Sequence, residues 1–201
     1  MDLRKAVPLL LAWIAAVCGA ILFPLSESLP FRLGPARPAG AFVAFVQVQV
    51  LFLVLAWPLT LGTVGVREAM GRLGALLALG LPPALVAADV SGEGAGALLR
   101  AQALAASFGA FAAALFGFAG PAAGPWYYLG AFLLSAGVPF AAFLSREFGG
   151  PDLAGLSILS PAWGATRPSY GQALLFGAAA LALLAALRFL RREVDAPARP
   201  G

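Results

Sequence analysis

The stretch Gly62–Ala88, GTVGVREAMGRLGALLALGLPPALVAA, sets Arg67, Glu68 and Arg72 between two uncharged runs and then interrupts the second run with Pro82-Pro83. Here a very apolar chain touches water and turns back. The expected arrangement is a short charged hinge at 66–72 joining two membrane spans. Such a hinge serves as a solvated turn or as a surface on which a soluble partner pushes.

The rest of the chain is consistent with that setting. Of 201 residues, 61% are hydrophobic and 11% charged, and the mean hydropathy is +0.91. A soluble domain is about 25% charged. The chain therefore reads as an all-α integral membrane protein, a single transmembrane domain over residues 1–201 with the lipid bilayer as its first partner. The net charge of +4 sits at the ends of apolar runs, so it reports topology and implies no nucleic acid.

Absences exclude several chemistries. The chain has no histidine, which removes bis-histidine haem ligation, a histidine zinc site and a histidine general base. Its one cysteine, Cys18, allows neither an internal disulfide nor a thiolate cluster. No catalytic residue, cofactor site or metal site is expected within the chain, and none of the usual catalytic constellations can be assembled.

Outward from the hinge, six spans are expected, at about 6–25, 39–66, 73–88, 95–118, 126–145 and 172–190. Ala6 to Leu25 is an uncharged run of 20 residues, enough at about 1.5 Å per residue to cross a core of about 30 Å. A cleaved secretory signal is the alternative for this first run, since Ala15-Ala16-Val17-Cys18 resembles a lipoprotein cleavage site, although the run continues past the cysteine. Ser26 to Pro38 is a Pro-rich loop. The second span is longer than a perpendicular helix needs and is expected to tilt or kink at Pro58. Gln47 and Gln49 lie on nearly opposite faces of it, and amides at this depth usually hydrogen-bond a neighbouring helix.

Two small-residue stripes read as helix-packing surfaces: Ala105, Gly109, Ala113 and Gly117 on the fourth span, and Ala178, Ala182 and Ala186 on the last. Trp126-Tyr127-Tyr128 is placed to anchor the fifth span at the headgroups. Residues 146–171 are too rich in Pro, Gly and polar groups to span, yet carry Leu153, Leu156, Ile158, Leu159 and Trp163. They are expected to lie in the interface or to re-enter the membrane. With six spans, Arg4, Lys5, Arg67, Arg72, Arg188, Arg191, Arg192 and Arg199, eight of the 13 basic residues, fall on one side. The positive-inside bias makes that side, with both termini, cytoplasmic.

This order of parts resembles the permease subunits of type-2 ABC exporters. In that family a cytoplasmic element after the second span often reads as a charged pair, a glycine, a Leu-rich stretch and a proline. Here Arg67-Glu68, Gly71, Leu73, Leu76-Leu77 and Pro82 stand in that order. The family also tends to place a re-entrant segment containing Ser-Pro before the last span, matched by Ser160-Pro161, and to end that span in arginines, matched by Arg188, Arg191 and Arg192. A narrower similarity, to the haem-exporter permease of cytochrome c maturation, lies in Leu22-Phe23-Pro24-Leu25 and in Pro38 to Gly40. The chain departs from the family in having five residues before Ala6 and no lysine after the Leu-rich element.

The resemblance implies an exporter permease in a bacterial inner (plasma) membrane, paired with a second permease copy or homologue. A separate ATPase subunit would hold ATP and contact Arg67, Glu68, Gly71 and Arg72. The chain has no glycine loop of the Walker type, so ATP hydrolysis would belong to the partner. The competing reading is a non-catalytic structural or accessory subunit of a larger membrane complex, held by the two stripes.

Overall fold

Hydrocarbon offers no water to backbone N–H and C=O groups, so long uncharged runs close their own hydrogen bonds as helices. The computed structural model describes residues 3–25, 40–61, 64–151 and 154–194, and every regular element among them is helical. The loop with Glu27, Arg32 and Arg37, the residues Pro38 and Ala39, the hinge residues Gly62 and Thr63, Asp152-Leu153, and Arg199 lie outside the described residues.

Helix α1 covers Leu3–Leu25. Helix α2 covers Gly40–Leu51 and continues as a π turn over Phe52–Ala56 and a 3₁₀ turn over Trp57–Thr60. Helix α3 is Val66–Val90 and α4 is Ala95–Ala119. Helix α5, Ala123–Phe132, passes through a π turn at Leu133–Gly137 into α6, Val138–Glu147. A 3₁₀ stretch at Ala154–Leu159 and a short α7, Pro161–Thr166, precede α8, Tyr170–Val194.

By length and composition, Gly40–Thr60, Val66–Val90, Ala95–Glu147 and Tyr170–Phe189 can each cross a membrane. The third of these is 53 residues long and reverses at Gly120, whose φ of 63° is open to glycine at little cost. It therefore supplies two crossings. With α1 of 23 residues, the chain is an all-α membrane protein of six apolar helical segments, with a 3₁₀ stretch and the short α7 before the last.

The third segment differs from its expected outline. Instead of a separate hinge followed by a broken span, α3 is one helix of 25 residues that takes in Arg67, Glu68 and Arg72 at its start and carries Pro82-Pro83 inside. A proline withholds only its own N–H, and the carbonyls four residues earlier, on Ala78 and Leu79, are the ones left without that donor. Within membrane helices neighbouring groups absorb such losses. The second segment ends at Thr60, six residues before the expected 66, because Pro58 tightens the helix: Leu61 N donates to the Pro58 carbonyl at 3.0 Å.

Helix α4 is the centre of the bundle, packing along α8 for much of its length and against α2, α3 and α5. Helices α1, α2 and α3 form the neighbouring group. Trp13 of α1 is fully buried, packs at a tilt against Phe52 with centroids 4.8 Å apart, and donates its indole N–H to the Leu76 carbonyl at 3.0 Å. A Cβ on Gly80 would lie 3.0 Å from the Trp13 ring, so the absence of a side chain there lets α1 sit close to α3. Phe42 N donates to Ser91 Oγ at 3.0 Å, joining the start of α2 to the end of α3, and a Cβ on Gly117 of α4 would meet both Val66 and Leu187. The start of α3, the Gly120 reversal and the end of α8 then share one end of the bundle, and Glu93, Arg100, Arg146 and Arg167 lie at the other.

Candidate functional site

The charged start of α3 and the small-residue stripe of α4, two features read separately from the sequence, meet in the structure. Arg67, Glu68 and Gly71 are exposed, whereas Val66 and Leu73 turn inward. A Cβ on Gly109 would collide with Leu73 Cδ1, and one on Gly117 with Val66 Cγ2. The two glycines thus form depressions that receive the first and third turns of α3, while Ala105 and Ala113 are buried on the same helix.

Arg72 is not a free cation. Its guanidinium pairs with Glu68 Oε1 at 2.8 Å across one helical turn, its side chain is only 15% exposed, and its Nε is buried without a partner. Arg67 is the arginine of this end that α3 presents to water. The element is therefore a rigid charged helix start seated on α4, with no flexible turn inside it.

A second connection ties α5 to the kink in α2. In an α-helix the N–H of residue 58 would serve the carbonyl of Val54, and Pro58 has none. Tyr127 donates its hydroxyl to that carbonyl at 2.9 Å, and Tyr128 donates to the Leu55 carbonyl at 3.1 Å. The two tyrosines bind backbone exposed by the kink. Trp126 remains outward, 76% exposed, in keeping with an interfacial anchor.

Between α4, α5 and α8 lies a cavity of about 520 Å³, walled by Phe108, Phe111, Leu115, Ala131, Pro161 and Phe176 among others. Trp126 and Tyr127 are the polar-tipped residues of its wall, and the Tyr127 hydroxyl is already engaged. The volume falls in the range of about 300–1,000 Å³ typical of ligand pockets. Its chemistry suits hydrocarbon or rings and offers nothing to an ion.

The segment before α8 supplies Pro161 to that wall. Ser160 and Pro161 are buried. Ser160 Oγ accepts from the Trp163 N–H at 3.2 Å, capping α7, and the Ser160 carbonyl accepts from Gln172 Nε2 at 2.9 Å. Gln172 is 2% exposed, and a Cβ on Gly164 would collide with its Oε1. Gln172 and Gly164 carry this segment yet have no obvious signature in the sequence. The one available signal was a glutamine at the start of an otherwise apolar helix, which needs a partner.

The remaining expected packing residues divide. Ala178, Ala182 and Ala186 lie on the exposed face of α8, which packs on the bundle through Ala173, Phe176 and Ala180. Of the two glutamines of α2, Gln49 is buried and exchanges amide hydrogen bonds with Gln102 of α4, at 3.1 and 3.3 Å. The amides thus satisfy each other and lock α2 to α4. No family model matches the chain, no curated protein is similar to it, and no solved structure matches it.

Proposed function

We propose that the chain is the membrane-spanning permease subunit of an ABC-type exporter, energised by a separate ATPase subunit that engages the start of α3. The observation that carries this reading is the seating of Val66 and Leu73 in the glycine depressions of α4. A force applied at Arg67 and Glu68 reaches α4 through direct packing, and α4 passes it to α8. Interfaces packed in this way move as units, which is what a rocking transport cycle requires. Arg67 meets a carboxylate of the ATPase, while Arg72 holds the local geometry through Glu68. The apolar cavity between α4, α5 and α8 supports a cargo that presents hydrocarbon or aromatic surface.

A second reading has its own observation. The outward stripe Ala178, Ala182 and Ala186 permits close approach of another membrane helix, as a structural or accessory subunit of a larger complex would need. A second permease copy would use the same face.

The test is purification of the tagged protein from its own host in mild detergent, with co-purifying chains identified by mass and ATPase activity assayed. The expected result is a nucleotide-binding subunit that is lost on Arg67→Glu and kept on Arg146→Glu, a charge reversal at the other end of the bundle. Recovery of membrane subunits alone, with no ATPase, overturns the exporter reading in favour of the accessory one.

A further inference from the structure

At the end of the bundle opposite the α3 start, a pocket of about 190 Å³ is framed by the beginnings of α2 and α4 and the end of α7. Phe42 and Val46 give it an apolar wall, and Glu93, Arg100, Thr166 and Arg167 bring polar and charged groups. The segment before α8 creates this juxtaposition. Arg100 sits in the second turn of α4, Arg167 follows the last turn of α7, and 67 residues separate them in sequence.

Neither guanidinium makes an ion pair or a hydrogen bond with the described residues. Among those residues the one ion pair is Arg72 with Glu68, so Glu93 shares the pocket without neutralising either guanidinium. Two arginines and one glutamate leave the lining with a formal charge of +1. Guanidinium groups bind phosphate oxygens through forked, charge-assisted hydrogen bonds. Basic pockets between membrane helices accept lipid headgroups.

We propose that this pocket binds the phosphodiester of a membrane phospholipid, bridged by Arg100 and Arg167. Three features fix the occupant. The single charge of a phosphodiester matches the lining. The volume lies below the range of about 300–1,000 Å³ for whole organic ligands and fits a headgroup fragment. The pocket opens where the apolar helices α2 and α4 begin, the end of a membrane helix that meets lipid headgroups, and its apolar wall receives the glycerol and first methylenes. Glu93, on the α3–α4 turn, excludes a second anion. This site is independent of any ATPase and does not rest on the exporter reading.

The experiment is native mass spectrometry of the delipidated full chain, titrated separately with phosphatidylglycerol, with diacylglycerol of the same acyl chains, and with inorganic phosphate. The wild type is expected to retain one phosphatidylglycerol per chain in preference to diacylglycerol. Arg100→Gln with Arg167→Gln should lower the retained fraction at least tenfold, while Arg146→Gln, at the same end outside the pocket, should leave it unchanged. Circular dichroism and gel filtration check that the double variant is folded. If it is not, Arg167→Gln alone, on an exposed turn, is used and should lower retention at least threefold. Equal retention of diacylglycerol, equal loss with Arg146→Gln, or undiminished binding in the arginine variants overturns the proposal. Binding of inorganic phosphate without lipid preference overturns the lipid source and identifies a free anion instead.

Discussion

Replacing Gly109 by alanine adds one methyl at the place where α4 receives α3. That methyl would collide with Leu73 Cδ1 and lie 3.0 and 3.2 Å from Cδ2 and Cγ, so Leu73 must change rotamer or α3 must lift. Overpacking of this kind costs about 1–3 kcal/mol, offset in part by the better helix propensity of alanine, about 0.8–1 kcal/mol. The expected net loss is about 0–2 kcal/mol, or up to roughly 8 °C in Tm for a chain of this size. Leu73→Ala alone should cost about 2 kcal/mol, the low end for such truncations, because a lipid-solvated reference state adds no transfer to water. The decisive quantity is the double variant. Leu73→Ala removes all three atoms in the way, so Gly109→Ala in that background should be neutral or stabilising, giving a coupling of at least about 1 kcal/mol. Thermal unfolding of the four proteins in one detergent measures it. If Gly109→Ala costs the same in both backgrounds, within about 0.5 kcal/mol, Leu73 is not seated on Gly109 and the proposed transmission from α3 to α4 fails with it.

Two further outcomes follow from named hydrogen bonds. Tyr127→Phe should destabilise by about 1 kcal/mol by taking the donor from the Val54 carbonyl, and should cost less in a Pro58→Ala background, where the backbone regains an N–H at that position. An equal loss in both backgrounds would show that the tyrosine does not serve the kink. Either Gln49→Leu or Gln102→Leu alone should cost about 1–2 kcal/mol, since the remaining amide is left unpaired in hydrocarbon, while the double change should be nearly neutral. Additive losses in a thermal-melt cycle would refute the reciprocal pairing.

Much of the layout is legible in the sequence because hydrocarbon imposes one rule, internal satisfaction of the backbone, on every uncharged run. The places where the outline shifted have local causes. Pro82-Pro83 looked like a break, yet a proline removes one donor and not the helix around it, so α3 stays continuous. Pro58 did disturb its helix, and the missing donor was visible in the sequence. What was not visible is that Tyr127, 69 residues later, answers it. The stripe of α4 was read as a packing surface, and its glycines accept α3. The alanine stripe of α8, with similar spacing, faces outward, because spacing identifies a close-packing face without saying which neighbour fills it.

The sequence by itself determined that the chain is helical, that it lives in a bilayer, roughly where its spans run, and that residues 146–171 do not span. These follow from composition and periodicity, which act locally. Only the tertiary structure decided that Arg72 is held by Glu68 and half-buried while Arg67 faces water, that Ser160 is fixed by Gln172, and that Arg100 and Arg167 line one pocket. The burial of Arg72 depends on where α3 seats against its neighbours, and the other two depend on side chains from different elements arriving at one place. Helix periodicity fixes directions around a helix axis but not the rotation and offset of one helix against the next. That relation is set by which knobs find which depressions, here Leu73 over Gly109 and Val66 over Gly117.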